Sequence, residues 1–413
     1  MTEEEPLTAK DIAVSPDGHA APAPPKGNLA ERRAYWLAWD TIAWNLPQTE
    51  AAAVRLYYAP EGGLTLTDEG LAGGDFILLV YDPAGLDESL RARFPHLRDH
   101  AAFRIRASDI LKVTAILKGQ AAVAALDDAG RLADATSLQI AGVLDDLYTY
   151  YGSLGVIYDG ATPSLKLWAP TARDVSVHLF ETSAAPLGET LPLTLNPQTG
   201  VWSVEGEPSW TGRYYLYEVE VWTPTTGRIE RNLVTDPYSI GLSTDGTRSQ
   251  IVGLSDPALQ PPGWQDLRKP PLAGFEDIVI YELHVRDFSA NDPSVAEAYR
   301  GTYKAFTLPD SHGMRHLRDL ASLGLTHIHL LPVFDIATIN ENGAERVEPT
   351  VPNAAPDSPD QQAAVMAVAD KVGFDRRGNK LYKRTPDGEE IVEPKQHIER
   401  IRIGGRFVER TLT

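Results

Sequence analysis

Ile278-Val279-Ile280-Tyr281-Glu282-Leu283-His284-Val285 is an apolar run of strand length, and its reading decides the fold. Downstream, Met314, Leu317, Leu320 and Ala321 recur at spacings of three and four residues, the period of an amphipathic helix, and Gly324 is placed to end it. Thr326 to Leu331 is a second strand-like run, stopped by Pro332. Strand, helix and strand in that order predict a βαβ unit, and such parallel strands belong to a barrel or a doubly wound sheet. Periodicity alone leaves that choice open.

Upstream the pattern changes twice. Pro257 to Pro271 holds five prolines, and a Pro-rich linker is placed at 264–276. Residues 155–263 read as all-β. Val175, Val177 and Leu179 alternate with Asp174, Ser176 and His178, the period of a half-buried strand. Tyr214 to Trp222 is a long aromatic strand closed by Thr225-Thr226-Gly227. Short strands separated by Gly, Pro and Asn turns over this span predict an immunoglobulin-like β-sandwich.

Residues 29–150 predict a mixed, β-rich domain. Leu29 to Trp39 has a helical pattern, whereas Val54 to Tyr58, Phe76 to Tyr81 and Ala121 to Leu126 read as strands. Leu86 to Phe94 reads as a helix broken at Pro95. Residues 1–28 read as a flexible lead, acidic and then Ala/Pro-rich. With no basic segment followed by an apolar one, this lead does not read as a signal peptide as it stands.

Composition narrows the function classes. A length of 413 residues predicts two to four domains. The net charge of −19 opposes a nucleic-acid surface, which needs clustered basic groups, but does not repel a neutral polymer. No window has the apolar length of a membrane span. Cys is absent, which excludes disulfides and thiolate metal sites.

Five segments together resemble the pullulanase and isoamylase branch of the α-amylase superfamily. Ile280 to Ser289 (IYELHVRDFS) resembles its first barrel strand, and Gly324 to Asp335 (GLTHIHLLPVFD) its second. Leu165-Lys166-Leu167-Trp168-Ala169-Pro170 is similar to the opening of the starch-binding-like sandwich before the barrel. Val143-Leu144-Asp145-Asp146-Leu147-Tyr148 and Phe94-Pro95-His96-Leu97 resemble the extra N-terminal domain of bacterial pullulanases. The resemblance implies a retaining hydrolase of α-1,6 branches in pullulan or amylopectin, with an α-glucan as partner. It implies residues 277–374 as the first part of a (β/α)8 barrel, with 375–413 an unmatched tail. No cofactor is implied, and calcium is left open, as is localisation, although family members are often exported.

Such hydrolysis needs two carboxyl groups about 5 Å apart. In this family they stand at the C-terminal ends of the fourth and fifth barrel strands, where the βα loops build the site. Only 137 residues run from Asp277 to Thr413, against about 250 for a complete barrel. The expectation is therefore a chain without nucleophile or acid/base, inactive alone; the alternative is a non-catalytic α-glucan-binding protein. The resemblance stops at Phe374, where Asp375-Arg376-Arg377-Gly378 takes over. Lys371 to Thr413 holds 11 Lys and Arg against 7 Asp and Glu, leaving −23 on the remainder. Around Gly404-Gly405, Ile401-Arg402-Ile403 and Arg406-Phe407-Val408 predict a small hairpin.

The candidate substrate contacts are Asp335, Tyr281, Trp210 and Trp222. Asp335 follows the second barrel-type strand. Tyr281, with His284 and Asp287, either lines a sugar site or completes hydrogen bonds around the first strand. Trp210 and Trp222 lie near turns of the sandwich, where an aromatic face complements the C–H face of a glucose ring; Trp168 is expected in the core. His312 with His316, and His327 with His329, have chelating spacings but no evident third ligand.

Overall fold

The computed structural model describes residues 27–46, 53–186, 188–331 and 333, and short pieces beyond. The N-terminal lead, save its last two residues, and Asp335 lie outside the described residues. The chain divides into two compact units, one of residues up to Gly241 with Arg248–Gly253, the other of Leu242–Thr247 with Leu254 onward.

The first unit begins with a closed seven-stranded barrel. Its strands are β1 (Ala34–Ala38), β2 (Thr41–Trp44), β3 (Ala53–Ala59), β6 (Asp75–Asp82), β7 (Ala101–Ile105), β8 (Gln120–Leu126) and β9 (Leu132–Gln139). They follow in the order β1-β2-β7-β6-β3-β8-β9, and a small hairpin, β4 (Thr65–Thr67) with β5 (Gly70–Ala72), stands apart. Three short helices, α1 (Glu88–Arg93), α2 (Val113–Ile116) and α3 (Ala141–Leu147), complete the domain. Closure is made by β1 lying parallel to β9, with Ala34 opposite Leu138. Beside that seam Arg33 donates two hydrogen bonds of 2.7 Å to Asp134, and its amide donates to the Thr136 hydroxyl at 3.0 Å. Trp36, Ile42, Trp44, Leu56 and Val123 fill the interior.

This corrects the helical expectation for Leu29 to Trp39, of which β1 is the centre. Trp36 faces the barrel interior while Leu37 packs with Leu86, Leu90 and Leu97 in a separate cluster. A strand buried on both faces loses the period-two alternation that distinguishes it from a helix.

The sandwich follows. One sheet has the order β10-β11-β15-β14, from β10 (Gly155–Asp159), β11 (Thr162–Trp168), β14 (Thr194–Asn196) and β15 (Val201–Glu205). The other is β13-β12-β16-β17, from β12 (Asp174–Phe180), β13 (Glu189–Pro192), β16 (Tyr214–Thr223) and β17 (Arg228–Val234), with β18 (Ser249–Gln250) added to β16. The alternation read in β12 is realised: Val175, Val177 and Leu179 are wholly buried and meet Leu165, Tyr215 and Tyr217 between the sheets.

In the second unit β19 (Ile280–His284) pairs in parallel with β20 (His327–Leu331), Ile280 opposite His327 and His284 opposite Leu331. Between them runs α4 (His312–Ser322), capped by the Ser311 hydroxyl accepting from the Met314 amide. The βαβ reading therefore holds. No larger barrel is formed by the described residues; the barrel present is the antiparallel-rich one of the first unit. Ile280 and Ile328 remain exposed on this two-stranded sheet, unlike the doubly covered strands of complete parallel sheets.

Toward the C-terminus come β21 (Lys383–Arg384) with β22 (Glu390–Ile391), and β23 (His397–Ile403) with β24 (Arg406–Leu412). Ile403 stands opposite Arg406, the hairpin register expected around Gly404-Gly405. No helix among the described residues is long and apolar enough to cross a membrane.

Candidate functional site

The sandwich tryptophans are placed by packing. Trp210 ends a helical turn, Pro208–Trp210, and is 5% exposed within the sandwich core, leaving no ring face for a surface ligand. Gly206 leaves room for it, because a Cβ there would come within 2.4 Å of the indole. Trp202 is likewise buried, its indole N–H donating to the Ala169 carbonyl at 3.0 Å. Trp168 packs against the core of the barrel domain and donates to the Tyr148 carbonyl at 2.9 Å.

Trp222 is half-buried near the end of β16, opposite Ile229. Its ring lies on Gly62, in the turn after β3, where an added Cβ would sit 2.2 Å from the indole. Arg173 makes a parallel link from the sandwich to that turn. Its guanidinium donates to Glu61 at 2.7 Å, to the Lys118 carbonyl at 3.3 Å and to the Pro60 carbonyl. Burial pulls the neighbouring Lys118 ammonium below its ordinary range, and the Arg173 charge adds to this.

Beneath β16 lies a polar network that the sequence did not announce. Buried Asp236 accepts from the Tyr215 hydroxyl at 2.7 Å and from the Tyr238 amide at 2.8 Å, while its own amide donates to Ser249 at 2.9 Å. Desolvation pushes its carboxyl above the usual range, outweighing these hydrogen bonds. The same burial, with the adjacent carboxylate, pushes the Tyr215 phenol above its ordinary value. The sequence showed Tyr214 to Trp222 as an aromatic strand, but nothing local marked Asp236 as an acceptor for its tyrosines.

In the second unit Tyr281 is 37% exposed and meets His316 of α4 edge-on, the ring centroids 5.9 Å apart. The His284 imidazole accepts from the Arg286 amide at 3.2 Å and lies 3.8 Å from Asp287, so both residues bind locally. His312 pairs with Asp292 at 3.3 Å and His329 with Glu282 at 3.0 Å. Neither histidine pair gathers further ligands, and no group of three His, Asp or Glu suited to a metal occurs among the described residues.

Comparison with known proteins places these domains. Residues 31–146 match the pullulanase N2 domain, and residues 153–239 match carbohydrate-binding module 48, the isoamylase N-terminal domain. The chain is 39% identical over 375 residues to the chloroplastic pullulanase 1 of Arabidopsis thaliana, covering 89% of this chain and 38% of that protein. This chain carries the N-terminal domains of the pullulanase family. The pullulanase of Klebsiella pneumoniae is 36% identical over 323 residues, covering 76% of this chain and 29% of its own length. The crystal structure of Klebsiella pneumoniae pullulanase complexed with maltotriose superposes with a TM-score of 0.68 at 33% identity, over 76% of this chain and 30% of that one. The chain thus spans well under half the length of the pullulanases it matches. In pullulanase terms the closed barrel is the N2 domain and the sandwich is the carbohydrate-binding module, so the Trp222–Gly62 contact joins the two.

Proposed function

We propose that the chain is the α-glucan-binding N-terminal portion of a pullulanase-type hydrolase that cleaves α-1,6 branches of pullulan or amylopectin. The carrying observation is the order of parts: a pullulanase N2 domain, a carbohydrate-binding module and then a parallel βαβ unit. In this reading residues 277–374 begin a (β/α)8 barrel with Asp335, past its second strand, as a sugar contact. Tyr281 packs under the helix α4 instead of facing the sugar, and Trp222 is a separate contact on the module. For these residues by themselves the proposed activity is glucan binding without hydrolysis.

Electrophoresis in gels with and without amylopectin tests the binding. Retardation by amylopectin relative to an inert protein is the expected result, and equal mobility in both gels refutes it. Reducing-sugar release from pullulan by the purified chain would refute the absence of hydrolysis.

A further inference from the structure

We infer that a crevice between the N2 barrel and the sandwich is an α-glucan subsite taking a short stretch of glucosyl units; the inference rests on the glucan-binding reading. The crevice is open to solvent and has a volume of about 410 Å³. Its apolar lining is Tyr150, Leu154, Trp168 and Tyr238, and its polar edge is Arg93 with Asp145. Aromatic faces beside a few polar groups suit a sugar, whose ring has C–H faces and an equatorial belt of hydroxyls.

The polar edge indicates the ligand's charge. Arg93 and Asp145 pair at 2.9 Å with side chains 43% and 61% exposed, so each keeps hydrogen-bonding capacity toward the crevice. Together they are electrically neutral, and a neutral polyhydroxylated chain is favoured over an anion.

The walls are held before any ligand arrives. Trp168 is fixed by its bond to the Tyr148 carbonyl, and Asp145 is carried on α3, where its carbonyl accepts from the Thr149 hydroxyl. Tyr238 is fixed by its amide bond to buried Asp236 and by close approach to Gly155, where a Cβ would lie 2.9 Å from the tyrosine Cβ. Such pre-ordering removes part of the entropic cost of binding.

The test measures retardation by amylopectin, and maltotriose affinity by calorimetry, for the full chain and two variants. Tyr238→Ala removes an aromatic wall, and Leu154→Trp fills the crevice. The expected result is an apparent Kd raised about ten-fold or more in both, with unchanged melting temperatures. Should Tyr238→Ala fail to fold, Leu154→Trp decides alone. If the unaltered chain is retarded and the folded variants are retarded equally, the crevice is a solvent-filled seam and this inference falls while the glucan-binding reading stands. If the unaltered chain is not retarded, both fall.

Discussion

Two aspartates in the first unit show how the same side chain acquires opposite pH behaviour. Asp236 is 3% exposed, and desolvation raises its carboxyl above the ordinary value despite the tyrosine donors. A group whose folded value is raised contributes stability that is fully present below its unfolded value and is lost as pH climbs through the folded one. Asp236→Asn removes that titration. The stability of the original chain relative to this variant should therefore decline as pH rises from the usual carboxylate range through the raised one. Urea midpoints of both proteins across acid to neutral pH measure it, and a difference that grows with pH would contradict the burial argument. Asp87 lies on the other side: the Leu90 amide and then the Ser89 hydroxyl hold its carboxyl below the ordinary range, so its contribution is lost as pH falls. Gly62 illustrates a steric constraint instead. Its φ is +83°, and a Cβ would stand 2.2 Å from Trp222. Gly62→Ala should cost about 1–3 kcal/mol through overpacking and left-handed strain. In the Trp222→Ala background the packing part of that cost should disappear, which a double-mutant cycle in urea resolves.

At the scale of elements, α1 depends on its cap. Asp87 accepts from the Leu90 amide at 2.9 Å, and Leu90 is the residue by which this six-residue helix enters the core. Asp87→Ala should destabilise the first unit by about 1 kcal/mol, the usual worth of an N-cap, while Asp87→Ser should retain most of it; chemical denaturation distinguishes the two. Elements with one wet face were legible in the sequence. The alternation along β12 and the three- and four-residue spacing of α4 each gave the right element, because burial on a single face imprints its period. The strand β1 was not legible, since Trp36 and Leu37 are buried on opposite faces. Closure of the barrel was hidden for another reason: the parallel pairing of β1 with β9 joins residues about a hundred positions apart, and a local pattern carries no trace of it. Residue type also failed to separate core from contact among the tryptophans. A large ring suits a sugar and a sandwich interior alike, and Trp210 is placed in the interior by its turn and by Gly206.

At the scale of the molecule, Trp168 is one of the side chains that tie the N2 barrel to the sandwich. It belongs to β11, whose Leu165 and Leu167 face the sandwich core, yet its own ring packs on the barrel domain's core and its N–H is bonded to Tyr148. Arg173 and the Trp222–Gly62 contact join the domains elsewhere. Trp168→Ala should then cost about 3 kcal/mol or more, the range for losing a packed indole, and the loss should fall on the seam rather than within either domain. The expected signature is a change in cooperativity: unfolding of barrel and sandwich, concerted in the original chain, should separate into two transitions in calorimetry. Trp168→Phe keeps most of the ring while deleting the donor to Tyr148, so it should lower the melting temperature without splitting the transition. If Trp168→Ala lowers stability yet leaves a single sharp transition from these domains, the seam is carried by Arg173 and Gly62 rather than by the indole. The walls of the crevice beside it would then be held by those contacts as well.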